Sequence, residues 1–243
     1  MIIVGIDDTD TVDSRGTNQL ARQISREVSP QWKCLRIVRH QLLDDPRVPY
    51  TSKNGSASMT FQWRANAQHA EPDEPQIEQL WDCCRRIMLD EFIVGSDPGL
   101  SLLAGPCPPV VIQWGQKCQS DFVEKSEARE IAIRTGFRLE SLGGTGDGII
   151  GALAAIGLSA LQNDGRIIQL GDWSDDLSGL QSVSLLSERG VSVREFQTGR
   201  EVDCGTIDLG KKLRPNMRHG RAVLFVEPVL AEEFSHFRAL KLP

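Results

Sequence analysis

The sequence predicts a mixed α/β (or α+β) protein of one large or two modest domains, and three observations carry that reading. Apolar runs and amphipathic stretches interleave in irregular order rather than as one strict strand–helix repeat. After Val191 the chain alternates and is punctuated by glycine, as antiparallel strands are. The length of 243 residues exceeds the roughly 100–150 at which single domains cluster.

Each element has its own signal. Residues 2–6 are a short apolar run that stops at Asp7 and Asp8, as a buried strand delivering a loop would. From Thr17, the positions Leu20, Ala21, Ile24 and Val28 recur at helical spacing until Pro30. Strands are expected over 34–38 and 57–63, separated by a polar loop over 44–55. A second loop covers 65–75, and Ile77, Leu80, Trp81, Cys84, Ile87 and Met88 then mark one face of a helix. Residues 96–109 read as loop because prolines and glycines crowd them, and 110–114 as a strand. A helix over 122–135, a strand over 137–142, a small-residue helix over 149–161, a strand over 166–170 and a helix over 177–186 complete the series.

Charge and cysteines bound the compartment and the partners. Lys+Arg 27 against Asp+Glu 33 leaves a net charge of −6, which disfavours bulk attraction to nucleic acid. No apolar run approaches the roughly 20 residues that span a bilayer. The N-terminus meets acids where a signal peptide would stay apolar, so a cytoplasmic protein without membrane contact is expected. The six cysteines include no Cys-x-x-Cys pair, so a zinc ribbon is unsupported and reduced thiols are expected.

Four segments could carry chemistry. Asp7, Asp8 and Asp10 crowd three carboxylates into four residues, which a cation such as Mg²⁺ would neutralise; an acidic turn capping backbone N–H groups is the plainer reading. The helix start at Gly16-Thr17 offers free N–H groups to an anion, with Ser14 or Thr17 as the helix cap. The stiff loop 46–56 holds Arg47, Lys53, Asn54 and Gly55, which could clamp phosphate or form a solvated turn. Gly144, Thr145, Gly146, Asp147 and Gly148 form a glycine loop directly before a helix whose Gly151, Ala152, Ala154, Ala155 and Gly157 allow very close packing. No lysine follows these glycines, so this is not a Walker A loop.

In this order, the 5–10 acidic motif, the Gly16-Thr17 helix start, the Pro-x-x-Pro loop with Lys53-Asn54-Gly55, the Asp97-Pro98-Gly99-Leu100 segment and the 144–157 segment resemble the archaeal tRNA(Ile2) 2-agmatinylcytidine synthetases over about residues 1–170. The resemblance implies a kinase-like first domain over 1–119 and a ferredoxin-like second domain over 120–243 that ends in a β-rich extension. It also implies that ATP and Mg²⁺ activate a carbonyl oxygen by phosphorylation and that an amine displaces the phosphate. By motif, Asp7, Asp8 and Asp10 would hold Mg²⁺–nucleotide, Thr17 would lie near the phosphate, and 144–148 would line the substrate site. The family's OB-type domain and Cys-rich zinc ribbon have no counterpart in the chain. Similar short bacterial proteins look like companions of tetrahydromethanopterin-linked C1 metabolism. The expected substrate is therefore a small molecule of such a cofactor pathway, with nucleotide as co-substrate and no tRNA; a homodimer stays open.

Three alternatives stand beside that expectation. One is agmatinylation of tRNA(Ile2) cytidine itself. A second is a haloacid-dehalogenase-like phosphatase with Asp8 as nucleophile, Asp10 as general acid and Asp172, Asp175 and Asp176 as a second acidic cluster. The third is a nucleotide-binding protein without turnover.

Overall fold

Alternation along the first apolar run sets the architecture. In β1 (Ile2–Asp7), Ile2, Val4 and Ile6 are buried on one face, while Ile3, Gly5 and Asp7 turn to the other. The computed structural model describes residues 1–11, 16–48, 54–65, 71–171, 177–229 and 235–242. The chain forms two compact units, Met1–Leu161 and Gln162–Pro243.

In the first unit, β2 (Trp32–Gln41), β3 (Gly55–Trp63), β4 (Gly99–Ala104) and β5 (Arg138–Ser141) join β1. They form an antiparallel sheet in the order β5-β4-β1-β3-β2. Its helices are α1 (Thr17–Glu27), α2 (Glu74–Asp90), α3 (Pro109–Ser120), α4 (Lys125–Thr135) and α5 (Gly148–Leu161). Helix α5 presses on the sheet face of Ile3 and Gly5: a Cβ on Gly5 would sit 2.1 Å from the Ala152 carbonyl oxygen. Helix α3 lies equally close, since a Cβ on Gly157 would sit 2.0 Å from the Val111 carbonyl oxygen. This is the close packing that the glycines and alanines of the segment predict. Leu103, Val111, Trp114, Ile131, Leu153 and Ile156 fill the cluster around α5, each large aliphatic side chain contributing about 1.5–3 kcal/mol by burial. Helices α1 and α2 bury Leu20, Ile24, Leu80, Trp81 and Ile87 outside that cluster. Asp73 and Gln76 cap α2 reciprocally.

The second unit contains β6 (Arg166–Leu170), β7 (Leu180–Ser182), α6 (Val183–Glu188), β8 (Val191–Glu195), β9 (Thr206–Asp208), β10 (Asn216–Arg218), β11 (Arg221–Pro228) and β12 (Phe237–Ala239). Its strands run β6-β10-β11-β12-β9-β7, with β8 parallel to β11. Ser182 accepts a hydrogen bond from the Leu185 N–H and caps α6.

The mixed α/β class is as expected, but several elements differ from the sequence reading. Residues 99–104 are strand β4, not loop, because Leu100 and Leu102 are buried between β1 and β5 despite the flanking prolines and glycines. Residues 110–114 belong to α3: Pro109 occupies the first turn, and Val111, Trp114, Gly115 and Cys118 bury one helical face. The run 177–186 divides into β7 and the start of α6. The boundary between units falls after Leu161 instead of after residue 119, because β5 pairs with β4 and α5 packs on β1. Elements α4, β5 and α5, expected in a ferredoxin-like second domain, thus complete the first unit. Among the described residues no helix is long and apolar enough to cross a membrane.

Candidate functional site

The carboxylates of the first motif diverge as β1 ends. Asp7 keeps the strand's alternation and points at α5, where a Cβ on Gly151 would lie 1.8 Å from its Oδ2. Asp8 leaves the strand at φ 49°, left-handed backbone that a non-glycine residue seldom holds without cause. Asp10 accepts a hydrogen bond from the Thr17 hydroxyl at 2.9 Å, and that hydroxyl accepts from Thr9 Oγ1 at 3.1 Å. The cap of α1 is Gly16, which has no side chain to bond the first-turn N–H groups, and the Gln19 N–H donates to the Gly16 carbonyl at 2.8 Å. The expected cap Thr17 is the first helical residue instead, and Ser14 lies outside the described residues.

Asp97 joins the acidic loop to the glycine loop. Its N–H donates to the Asp8 carbonyl at 3.0 Å. Its carboxylate accepts from the backbone N–H groups of Thr145 (3.1 Å), Gly146 (2.6 Å) and Asp147 (3.0 Å), and from the Thr145 hydroxyl. Gly144 and Gly146 have φ of 62° and 88°, which lets the chain wrap one carboxylate. A Cβ on Gly148 would fall 1.8 Å from the Asp97 carbonyl oxygen. The sequence presents Asp97 only as part of a motif; its place facing the glycine loop depends on the β4–β1 pairing, which the local pattern does not reveal.

These segments line one cavity of about 680 Å³ within the first unit. It gathers Asp7, Asp8, Asp10, Thr17, Arg47, Asn54, Gly55, Thr145, Asp147 and Gly148 from the expected residues, together with Asp97, Phe122, Lys125 and Arg129. Gly16, Gly144 and Gly146 shape the adjoining backbone without lining it, and Lys53 lies outside the described residues. Lys125 and Arg129 stand one turn apart on α4, a spacing visible in the sequence but with no site there to attach to.

The electrostatics are those of crowded acids. Burial, then the charges of Asp8 and Asp10, push the Asp7 carboxyl up to about 8, with Arg39 opposing them. Burial, then the charges of Asp97, Asp10 and Asp147, push Asp8 up to about 6. Partial burial acts to raise Asp147 as well, but hydrogen bonds from Lys125 and Thr145 outweigh it and hold it below the usual range. Lys125 Nζ lies 3.0 Å from Asp147 Oδ1 and donates to the Thr145 carbonyl at 2.7 Å.

Other expected ligands are already engaged. Arg47 pairs with Asp45 at 2.8 Å, and its guanidinium lies 4.8 Å from the Phe122 ring centroid. Asn54 donates to the Leu43 carbonyl at 2.8 Å and braces its own loop. A Cβ on Gly55 would meet the Arg39 guanidinium at 2.5 Å, so this glycine gives that side chain room. Among the described residues no three His, Cys, Asp or Glu side chains form a ready metal cage. The donor set nonetheless suits Mg²⁺: hard carboxylate oxygens whose crowding a cation relieves, with room left for phosphate and water.

No family model matches the chain. It is 28% identical over 158 residues to the tRNA(Ile2) 2-agmatinylcytidine synthetase TiaS of Pyrococcus horikoshii, covering 65% of this chain and 35% of that protein. The namesake of Thermococcus sibiricus is 31% identical over 157 residues, covering 63% and 34%. The crystal structure of the TiaS–tRNA(Ile2)–ATP complex shares the fold with a TM-score of 0.53 and 22% identity, over 64% of this chain and 36% of that one. The chain therefore spans about a third of the length of these curated relatives. They are named for a tRNA reaction, which overturns the expectation that tRNA is excluded and leaves the cofactor-pathway substrate without support. The physical error is plain: net charge sums the whole chain, whereas phosphate contacts depend on local surface. Over about 65% of its residues, the chain is similar in sequence to the tRNA(Ile2) 2-agmatinylcytidine synthetases.

Proposed function

We propose that the cavity of the first unit binds ATP with a divalent cation and activates the carbonyl oxygen of a tRNA cytidine for displacement by an amine. The observation that carries this reading is the convergence of Asp7, Asp8 and Asp10 with Thr145 and Asp147 on one cavity of about 680 Å³. That volume falls within the range of small-molecule sites. The names of the relatives support the reaction class, the cytidine acceptor and agmatine as the amine.

Asp7 and Asp8 would hold Mg²⁺, which when bound neutralises phosphate charge. The uncapped start of α1 and the cations Lys125 and Arg129 supply positive charge for phosphate oxygens. Thr9 and Asp10 fix the Thr17 hydroxyl beside that helix start. The apolar wall of Leu42, Leu43, Val48, Phe122, Val123 and Ile150 keeps water from competing with the amine. The terminal phosphoryl group of ATP passes to the carbonyl oxygen as its bond to ADP breaks; the amine nitrogen then attacks the carbon and gives up a proton, and the C–O bond breaks as phosphate departs with that oxygen.

Incubating the chain with ATP, Mg²⁺, agmatine and tRNA(Ile2) transcript, then digesting the RNA for mass spectrometry, tests the reading. An agmatinylated cytidine that requires both ATP and agmatine is expected. ATP turnover without modified cytidine would overturn the tRNA acceptor, and absence of ATP turnover would overturn the reaction.

A further inference from the structure

The second unit carries an exposed phenylalanine and several arginines at one edge of a sheet face. On β11, Ala222, Leu224 and Val226 are buried on one side, and Val191 and Val193 of β8 with Val183 and Leu186 of α6 are buried as well. The other side of β11 carries exposed Arg221, half-buried Phe225 and Glu227, and a buried Val223 between them. Pairing brings Arg218 of β10 opposite Arg221, Arg194 of β8 beside Phe225, and Arg238 of β12 opposite Glu227. Phe196, just beyond β8, is 52% exposed although its N–H is tied to the Val226 carbonyl at 2.8 Å.

The aromatic groups of this face are arranged, not scattered. Phe196 and Phe225 meet edge to face with ring centroids 5.9 Å apart, and the Arg218 guanidinium lies 5.9 Å from the Phe225 centroid. Two acids share the face: Glu227, whose carboxylate is 3.5 Å from Arg238, and Glu201, paired across from Arg194. Against these two acids the face holds four arginines, so Arg218 and Arg221 remain in excess, and Arg194 and Arg221 are exposed. An exposed phenylalanine costs solubility without adding to a core, and arginines around it repel cations and attract anions. An exposed aromatic ring backed by a second one and bordered by arginine matches the chemistry of a single-stranded nucleic acid, whose bases stack while its phosphates pair.

We propose that this face of the second unit binds single-stranded RNA, with a base stacked on Phe196 against Phe225 and phosphates met by Arg194, Arg218 and Arg221. It goes beyond the reaction proposed for the cavity, and its test needs neither ATP nor amine. Fluorescence anisotropy of the full chain with a labelled pyrimidine RNA strand of about 12 nucleotides measures binding. Phe196→Ala, at an exposed position, is expected to weaken affinity about 5- to 100-fold with unchanged melting temperature. Arg194→Gln and Arg221→Gln are each expected to lower the salt slope by about 0.7. Asp8→Asn in the other unit is expected to bind this RNA like the wild type, so the two proposals stand or fall separately. The inference is overturned by absence of binding up to about 100 μM at low salt. It is equally overturned by unchanged affinity of Phe196→Ala, by tighter binding of an RNA duplex, or by loss of self-association in Phe196→Ala with RNA binding intact.

Discussion

The N–H of Asp97 donates to the carbonyl oxygen of Asp8 at 3.0 Å, so the two acidic loops of the cavity are joined through their backbones. The Asp97 carboxylate then satisfies three successive N–H groups of the glycine loop. Asp97→Ala leaves those donors without their acceptor, at about 1–3 kcal/mol for each that water cannot reach. A loss of about 3 kcal/mol in denaturant unfolding is expected, with Asp97→Asn milder because its amide oxygen still accepts. A change below about 0.5 kcal/mol for Asp97→Ala would show that the loop stands without this anchor.

Gly151 is the point at which α5 meets the acidic motif. Its missing Cβ leaves room for Asp7 Oδ2, which a methyl group would approach to 1.8 Å. Gly151→Ala is expected to cost about 1–3 kcal/mol by overpacking and to abolish Mg²⁺-dependent stabilisation by displacing Asp7. Thermal melts with and without Mg²⁺ check this variant; a retained Mg²⁺ effect contradicts the role given to Asp7.

The pH dependence of stability follows from Asp7 and Asp8. Both have ordinary values of 3.8 and are raised in the folded chain, to about 8 and about 6. Across that window the folded state holds more protons than the unfolded state, so stability is present on the acid side and is lost as pH rises. Without divalent cation, the chain is expected to melt at a lower temperature at pH 8 than at pH 5.5. Because a bound cation requires deprotonated ligands, Mg²⁺ is expected to raise the melting temperature more at pH 8. Equal Mg²⁺ shifts at both pH values would contradict this.

Much of the first unit was legible because its signals are local. Leu20, Ala21 and Ile24 mark α1 by spacing alone, and Gly151, Ala152 and Gly157 announce a helix packed against backbone. Strand β4 and helix α3 were misread because their context is tertiary: Leu100 and Leu102 are strand residues only between β1 and β5. Val110, Val111 and Ile112 look like a strand until Pro109 is placed in a helical first turn. Of the residues lining the cavity, Asp7, Asp8, Asp10, Thr145, Asp147 and Gly148 stand in motifs legible in the sequence, whereas Lys125 and Arg129 do not, because only the fold brings α4 to the cavity.

Asp147 separates structure from function. Its pair with Lys125 at 3.0 Å is partly exposed, and such pairs contribute about 0–1 kcal/mol. Asp147→Asn is therefore expected to change unfolding free energy by less than about 1 kcal/mol while lowering turnover about tenfold or more, because freed Lys125 shifts within the cavity. Unchanged turnover would make the pair a surface feature only.

At the centre of the proposed reaction stands a nucleotide site built on the end of β1. Calorimetric titration of Mg²⁺–ATP into the wild type and Asp8→Asn tests it most directly. Asparagine tolerates the φ of 49° and relieves the repulsion among the acids, so the variant is expected to melt no lower than the wild type. It is also expected to bind Mg²⁺–ATP about tenfold or more weakly, since the carboxylate proposed to ligate the metal is lost. Equal affinity in a folded Asp8→Asn variant would contradict the claim.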